Sequence, residues 1–392
     1  MKLNSPEPDK TLEAVDQAIV QANPPSARNY LGMSGAGEDC ERKIWYRWRW
    51  ALPEHFDAAT LRRFEDGHRD EDLMAKRLRA VKGIRLETGY ADGSQFEVSD
   101  FNGHFLGHTD GAITGVAVAP KTMHIWEHKC VNQAKFNKLN KLKGEHGEKS
   151  ALEQWDTTYY AQCQLYLGYT KLKRHYLTVA TPGGRDITSC RTEYDAAAFK
   201  FFKDRAKSIL QSEEAPPKIS KKSDYFQCRW CNFSETCHGD KVAQVNCRTC
   251  AFSTPVLEET AGAPGKTVHR GAWRCERHGQ TIGIKKQRQG CGDHIFIPDL
   301  VPFGTAVKMD EEAPKIVYVT EDEKVFVNAT ENAWDADPME FTSKDLQHLT
   351  PELMSSEQKM FQAMAAFQTA QIESIKKKPE GDGVPFDDPI PF

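Results

Sequence analysis

Long apolar runs are missing from this chain: no stretch of about 18 or more apolar residues occurs, which excludes an ordinary membrane-spanning helix. The first residues, MKLNSPEPDKTLEAVDQ, have no apolar core of the kind a signal peptide carries, so a soluble, cytoplasmic protein is expected. Basic charge is not in excess either. A net charge of −4 excludes a uniformly basic nucleic-acid binder and directs attention to local charge. The phosphate-binding pattern G-x4-G-K-[ST] is absent, which speaks against a P-loop nucleotide site.

Cysteine, by contrast, is plentiful. Eleven cysteines without an export signal argue against a disulfide framework, because the cytosol keeps thiols reduced, and they point to metal ligation. Eight fall into two spaced sets. The other three, Cys130, Cys163 and Cys190, read as small buried residues. With 392 residues, 39% hydrophobic and 28% charged, the chain has material for a packed core and for several domains.

Residues 1–28, with Pro6, Pro8, Pro24 and Pro25, read as a loosely held arm with at most one short helix. From Ser34 a capped helix start leads into ERKIWYRWRW. There Arg42, Lys43, Arg47 and Arg49 alternate with Trp45, Tyr46, Trp48 and Trp50. Such a pattern either grips phosphates and bases or fills a core from an amphipathic helix, and helical periodicity favours the core for the aromatics. A second helix is expected over 58–81, carrying His68 and Glu71.

Alternating segments follow, FEVSDFNGHFLGHTDGAIT and TMHIWEHKCV, which read as a β-meander turning at Asn102-Gly103. Asp110 then lies beside a glycine turn on a strand next to that of Glu127. Glu127 and Lys129, two apart on an extended strand, project to the same face. Two carboxylates and an ammonium on one edge suit Mg²⁺ or Mn²⁺ and an attacking water. The lysine-rich stretch after Lys129, with Lys135, Lys138, Lys141, Lys143 and Lys149, reads as a solvated loop able to gather phosphates. Residues 151–172 have helical periodicity, so Gln162 and Tyr166 share a face at i and i+4. A strand over RHYLTVAT and a helix over YDAAAFKFFKDRAKSIL complete an α/β arrangement, a mixed central sheet flanked by helices.

After Pro216-Pro217, Cys228, Cys231 and Cys237 form C-x2-C-x5-C, with Cys40 available as a distant fourth thiol. The second set comprises Cys247, Cys250, Cys275 and Cys291, with His278 and His294 nearby. Zinc is the favoured ion there, an iron-sulfur cluster is the other option, and His294 can replace a cysteine. A segment this short and poor in apolar runs needs such a staple, so a separate metal-bound module over 241–300 is expected. Residues 301–378 read as a hairpin around KIVYVTEDEKVFVNAT and an amphipathic helix, and 379–392 as an acidic disordered tail ending in Phe392.

GHTDG, then EHK, then Gln162-x3-Tyr166 resembles the active-site pattern of PD-(D/E)XK nucleases of the RecB-like group, which have a restriction-endonuclease-like core. Cys40 with C-x2-C-x5-C is similar to the iron-sulfur staple of the CRISPR-associated adaptation nuclease and the AddB nuclease domain; together the patterns span about residues 29–240. The cysteine-rich segment that follows is similar to a module of phage-encoded proteins. The resemblance implies a Mg²⁺- or Mn²⁺-dependent DNA nuclease, an exonuclease by preference, acting in phage or bacterial recombination, repair or replication. It implies that Asp110, Glu127 and the backbone carbonyl of His128 bind the ion, that Lys129 positions the water, and that Gln162 and Tyr166 fix the substrate strand or the geometry. Glu71 or His68 would supply one more ligand, and Cys40, Cys228, Cys231 and Cys237 would hold a structural 4Fe–4S cluster. The tail FDDPIPF resembles the acidic tip of bacterial single-stranded DNA-binding proteins, which implies docking on a repair or replication partner. The alternative is a catalytically silent DNA-binding adaptor.

Overall fold

Asp9 caps α1 (Lys10–Ala22), its carboxylate accepting from the backbone N–H groups of Thr11 and Leu12 that a helix start leaves unpaired. The computed structural model describes residues 9–258, 270–310 and 314–350. The chain divides into two compact units, Met1–Pro302 and Phe303–Phe392. The amphipathic helix expected before residue 378 and the acidic tail lie outside the described residues.

In the first unit, β1 (Leu31–Gly32) precedes α2 (Glu41–Trp48) and α3 (Ala58–Arg79). The aromatic face of α2 is core: Trp45, Tyr46, Trp48 and the following Trp50 are all buried. Its basic residues do not form an open phosphate-binding face, because Lys43 and Arg47 pair with Glu38 and Arg42 pairs with Asp299. Asp57 caps α3, and Lys76, Arg77 and Arg79 in its last turn complement the helix dipole.

Then come β2 (Arg85–Glu87), β3 (Phe96–Asp100), β4 (Phe105–Thr109), β5 (Gly111–Thr114) and β6 (His124–Cys130). They do not form one meander. The strands β3 and β4 pair with β1 in a three-stranded sheet, whereas β5 and β6 enter a five-stranded sheet ordered β2-β5-β6 and onwards. Asp110 is the single residue between β4 and β5, so it sits where the chain passes from one sheet to the other. Met74, Ala75 and Leu78 of α3 close the larger sheet by packing with Leu86, Ile113, Val116 and Trp126.

The lysine-rich stretch is helix, not loop: α4 spans Gln133–His146. Asn132 caps it, and Phe136 and Leu139, three apart, bury one face while the lysines line the other. Charge density hid a short amphipathic pattern. Asp156, in extended conformation, divides the expected single helix into α5 (Ala151–Trp155) and α6 (Thr157–Thr170), accepting from Tyr159 N as the cap of the second. The sheet is completed by β7 (Arg174–Ala180), parallel to β6, and β8 (Ile187–Glu193), antiparallel to β7, and α7 (Ala196–Gln211) follows. This parallel step needs the crossover that α4 to α6 supply. The result is a mixed five-stranded sheet with flanking helices, an α/β arrangement.

Short helices α8 (Phe226–Arg229) and α9 (Ser234–His238) carry the first cysteine set. A small antiparallel sheet of β9 (Ser253–Pro255), β10 (Trp273–Cys275) and β11 (Gln280–Ile282), with α10 (Ile284–Gln289), carries the second. This segment was expected to stand apart, yet it belongs to the same compact unit as the larger sheet. Arg248 explains why, donating to the backbone oxygens of Trp48 and Asn29.

The second unit contains β12 (Thr305–Asp310), β13 (Lys315–Val319), β14 (Val325–Ala329) and β15 (Met339–Thr342) in one four-stranded sheet, with α11 (Ser343–Leu346). The hairpin read at 315–330 is β13 and β14. Among the described residues no helix is long and apolar enough to cross a membrane.

Candidate active site

Alternation along β6 buries Glu127 completely and leaves Lys129 partly open at the strand end, on the same face. Antiparallel pairing sets Gly111 opposite Trp126, which brings Asp110 to the start of Glu127. The backbone N–H of Asp110 donates to Glu127 Oε1 at 3.3 Å, and the backbone N–H of His128 donates to Asp110 Oδ2 at 2.8 Å. Each carboxylate is thus oriented by the other's strand. Glu127 Oε2 accepts from Lys129 Nζ at 3.0 Å and from Gln162 Nε2 at 3.2 Å. Gln162 Nε2 also reaches the Tyr166 hydroxyl at 3.1 Å, and that hydroxyl donates to the His108 carbonyl at 2.7 Å. The relay therefore returns to β4, two residues before Asp110.

A close approach makes the last contact possible. A Cβ on Gly107 would lie 2.5 Å from Cε1 of Tyr166, so the ring occupies the space a side chain would need.

Burial and neighbouring charge act together on these groups. Burial, reinforced by the negative charge of Asp110, pushes the Glu127 carboxyl well up, and the same two causes in the same order raise Glu71 on α3. Lys129 is held cationic despite its burial by Glu127 and Asp110. Tyr166 is pushed up by burial and by Glu127, so its hydroxyl keeps its proton. Such an excess of buried negative charge fits a divalent cation, and hard carboxylate oxygens fit Mg²⁺ or Mn²⁺. Glu71 faces this cluster through its charge, but Glu71, Asp110 and Glu127 are not mutually within 4.8 Å. His68, on the same helix, is exposed. His128 contributes its backbone N–H to Asp110, while its ring Nδ1 lies 3.0 Å from Thr178 Oγ1 and burial lowers its pKa to about 4.

Three neighbours were missed in the sequence. Thr178 on β7 accepts from Trp126 Nε1 at 2.9 Å and donates to the Glu127 carbonyl at 3.2 Å, fixing β6 from below. Tyr159 lies with its ring 5.6 Å from Lys129 Nζ. Its position, three residues before Gln162 and seven before Tyr166, was the available signal, since all three share one face of α6. His175 is buried beside Glu127, Lys129 and Gln162, and among the described residues neither of its ring nitrogens has a hydrogen-bond partner. No local spacing announces it.

Cys40, Cys228, Cys231 and Cys237 line a single cavity of about 360 Å³ with Arg42, Lys43 and Tyr46. Cys40 stands at the start of α2 and the others on α8, α9 and the turn between them, so a shared ligand would link the two ends of this unit's core. A cavity of this size lined by four thiols fits a polynuclear cluster. In the second set, Cys247, Cys250, Cys275 and Cys291 lie close enough for each to act on the charge of others. Burial pushes the Cys247 thiol up to about 12 and Cys250 up to about 11. The ligand atoms that converge within 4.8 Å of one another are those of His278, Cys291 and Asp293 rather than of a cysteine trio. His294 is placed elsewhere: its buried Nε2 lies 3.1 Å from both Thr249 Oγ1 and the Asn246 carbonyl, a structural position in the turn that presents Cys247 and Cys250.

No protein-family model matches the chain, and no curated protein matches it in sequence. Among solved structures it is similar to an alkaline exonuclease (LHK-Exo) from Laribacter hongkongensis, at 13% identity and a TM-score of 0.33 over 50% of this chain and 90% of that one. It is also similar to a phage related exonuclease from Haemophilus somnus 129PT, at 12% identity and a TM-score of 0.31 over 43% and 77% of the two chains. Likenesses of this size carry no argument about activity, and the functional reading rests on the residues between Glu71 and Tyr166.

Proposed function

We propose that this protein is a divalent-metal-dependent deoxyribonuclease, an exonuclease by preference, serving phage or bacterial DNA recombination, repair or replication. The observation that carries the reading is the buried relay from Asp110 and Glu127 through Lys129 and Gln162 to Tyr166. Asp110 and Glu127, with the His128 carbonyl, would hold Mg²⁺ or Mn²⁺, and Glu71 would be the further acidic ligand, favoured over the exposed His68. When bound, the ion would supply Lewis acidity for phosphodiester hydrolysis.

The chain's own residues do the rest. Lys129, kept cationic by Glu127 and Asp110, holds and orients the attacking water and offsets charge on the phosphate. Gln162 fixes the rotamer of Glu127, and Tyr166 fixes the end of β4 at His108, so both act by positioning. Cys40, Cys228, Cys231 and Cys237 would hold a structural 4Fe–4S cluster; zinc on Cys247, Cys250, Cys275 and Cys291 does not fit the structure, where the converging ligand atoms are those of His278, Cys291 and Asp293. The acidic tail ending at Phe392 recruits a repair or replication protein, which deletion of the last residues tests by loss of binding.

Hydrolysis of end-labelled linear DNA, compared with closed circular DNA, tests the activity. Mg²⁺- or Mn²⁺-dependent release of labelled product from linear DNA alone supports an exonuclease. Cleavage of the circle makes it an endonuclease, and binding without cleavage makes it the DNA-binding adaptor.

A further inference from the structure

Trp230 is the most exposed large hydrophobic side chain among the described residues, at 82%, and Phe226, four residues earlier, is 64% exposed. Both belong to one turn: α8 opens at Phe226 and Trp230 closes it, and both rings stand at the rim of the cavity that holds the first cysteine set. The backbone fixes this turn. Arg229 N donates to the Tyr225 carbonyl at 2.9 Å and Cys231 N to the Cys228 carbonyl at 3.1 Å, with Trp230 between the two cysteines. Phe226 leans on Tyr225, ring centroids 4.7 Å apart, whereas Trp230 makes no ring contact among the described residues. One exposed aromatic needs no explanation, but two together on a fixed turn leave an apolar face without its partner.

Charge around the rings is mostly of one sign. Residues 218–231 hold Lys218, Lys221, Lys222 and Arg229 against the single carboxylate of Asp224, in a chain whose net charge is −4. Lys221, Lys222 and Arg229 are exposed and, among the described residues, form no salt bridge. Arg229 Nη2 donates to the Asp224 carbonyl at 3.5 Å, and the rest of the guanidinium is open to solvent. Neighbouring carboxylates are already matched: Glu235 by Lys241, Glu38 by Lys43, and Asp39 by the Gln227 amide. Cations available to phosphates beside flat rings available to bases are the two halves of single-strand recognition. A duplex offers its phosphates equally, yet it keeps its base faces stacked on one another and hidden from Trp230.

The turn also adjoins the proposed catalytic centre. Thr158, in the first turn of α6, lines the same cavity as Phe226 and Trp230, and the next residue, Tyr159, lies with its ring 5.6 Å from Lys129 Nζ. We propose that Phe226 and Trp230, with Lys221, Lys222 and Arg229, form a stacking platform for single-stranded DNA that leads a strand end toward Lys129. This rests on the reading of the centre as a deoxyribonuclease and adds the form in which its substrate arrives. The rings take bases without regard to sequence, and the cations follow the backbone.

The full chain, purified anaerobically, is titrated against labelled oligo(dT) of about a dozen nucleotides and against an abasic strand of equal length, without divalent ions so that nothing is cut. Wild type is expected to bind oligo(dT) at least about tenfold more tightly than the abasic strand. Trp230→Ala and Phe226→Ala are each expected to weaken oligo(dT) about tenfold and the abasic strand little, with Trp230→Phe close to wild type. Lys221→Ala combined with Lys222→Ala is expected to weaken both strands alike and to lower the salt slope of binding by about 0.7 per charge removed. Thermal melting reports whether each variant is folded; if Trp230→Ala fails to fold, Phe226→Ala and Trp230→Gln are read in its place. Equal affinity of folded wild type and both alanine variants for oligo(dT) overturns the platform, as does a blunt duplex bound as tightly as oligo(dT). A peptide of residues 384–392 that binds through Trp230, with oligo(dT) affinity unmoved by Trp230→Ala, gives the surface to the chain's own acidic tail and overturns it too. Hydrolysis is read apart, on end-labelled DNA with Mg²⁺: wild type that binds as expected but cuts nothing overturns the deoxyribonuclease reading and leaves the platform standing.

Discussion

Glu127 is the residue on which the site turns, because it takes hydrogen bonds from Asp110 on one oxygen and from Lys129 and Gln162 on the other. Its carboxyl, raised by burial and by Asp110, holds a proton in the metal-free folded state over a range where the unfolded chain has released it. The folded state then binds more protons, so stability of the metal-free protein is expected to fall as pH rises from about 4.5 through the folded-state value. Urea midpoints across this range check it: Glu127→Gln is expected to flatten the dependence, as is saturating Mg²⁺. His175 has the opposite sign. Burial lowers its pKa to about 3, so the unfolded state binds the extra proton and stability is lost progressively as pH falls below about 6.5. Melting curves of His175→Leu are expected to show a shallower acid limb than wild type. For Tyr166→Phe, which removes the donor to His108 while keeping the ring, kcat is expected to fall by about 10- to 100-fold with little change in KM, since the hydroxyl positions the end of β4 beside Asp110 rather than the substrate.

At the scale of elements, the motif was legible where chemistry and periodicity are local. Glu127 and Lys129 share a face because strands alternate, Gln162 and Tyr166 because helices repeat, and β6 with α6 was enough to set four of the side chains. What was hidden depended on contacts far apart in the chain. The passage from one sheet to the other at Asp110 leaves no trace beyond the flanking glycines, and Thr178 and His175 reach the site only through the parallel pairing of β6 with β7. The helix α4 was obscured because only Phe136 and Leu139 are buried among its lysines. The tryptophans of α2 were read correctly as core from their spacing, but the burial of Arg49 beside them could not be, since its partner Arg248 is some two hundred residues away. Gly107 offers a test at this scale. Alanine there is expected to displace the Tyr166 ring, costing about 1–3 kcal/mol in denaturant unfolding, because overpacking against β4 cannot be relieved without moving the α6 side chain.

The first unit as a whole joins a three-stranded and a five-stranded sheet at one acidic residue, with cysteine sets at its helical margins. The larger sheet carries Glu127 and Lys129, the chain joint carries Asp110, and α6 carries the residues that hold both in place. Ligation of Cys40 together with Cys228, Cys231 and Cys237 would close a loop around nearly all of these elements, so Cys40→Ser is expected to lower thermal stability and to bleach visible absorbance without altering the ligands of the catalytic ion. The central claim is that Asp110 and Glu127 form a metal-dependent phosphodiesterase centre. Its most direct measurement is hydrolysis of end-labelled linear DNA by wild type and Asp110→Ala, folded to the same degree, with Mg²⁺, with Mn²⁺ and with chelator. The expected result is cleavage by wild type only with a divalent ion and a loss of at least about a thousandfold in Asp110→Ala. Cleavage by Asp110→Ala at the wild-type rate, or by wild type in chelator, would contradict it.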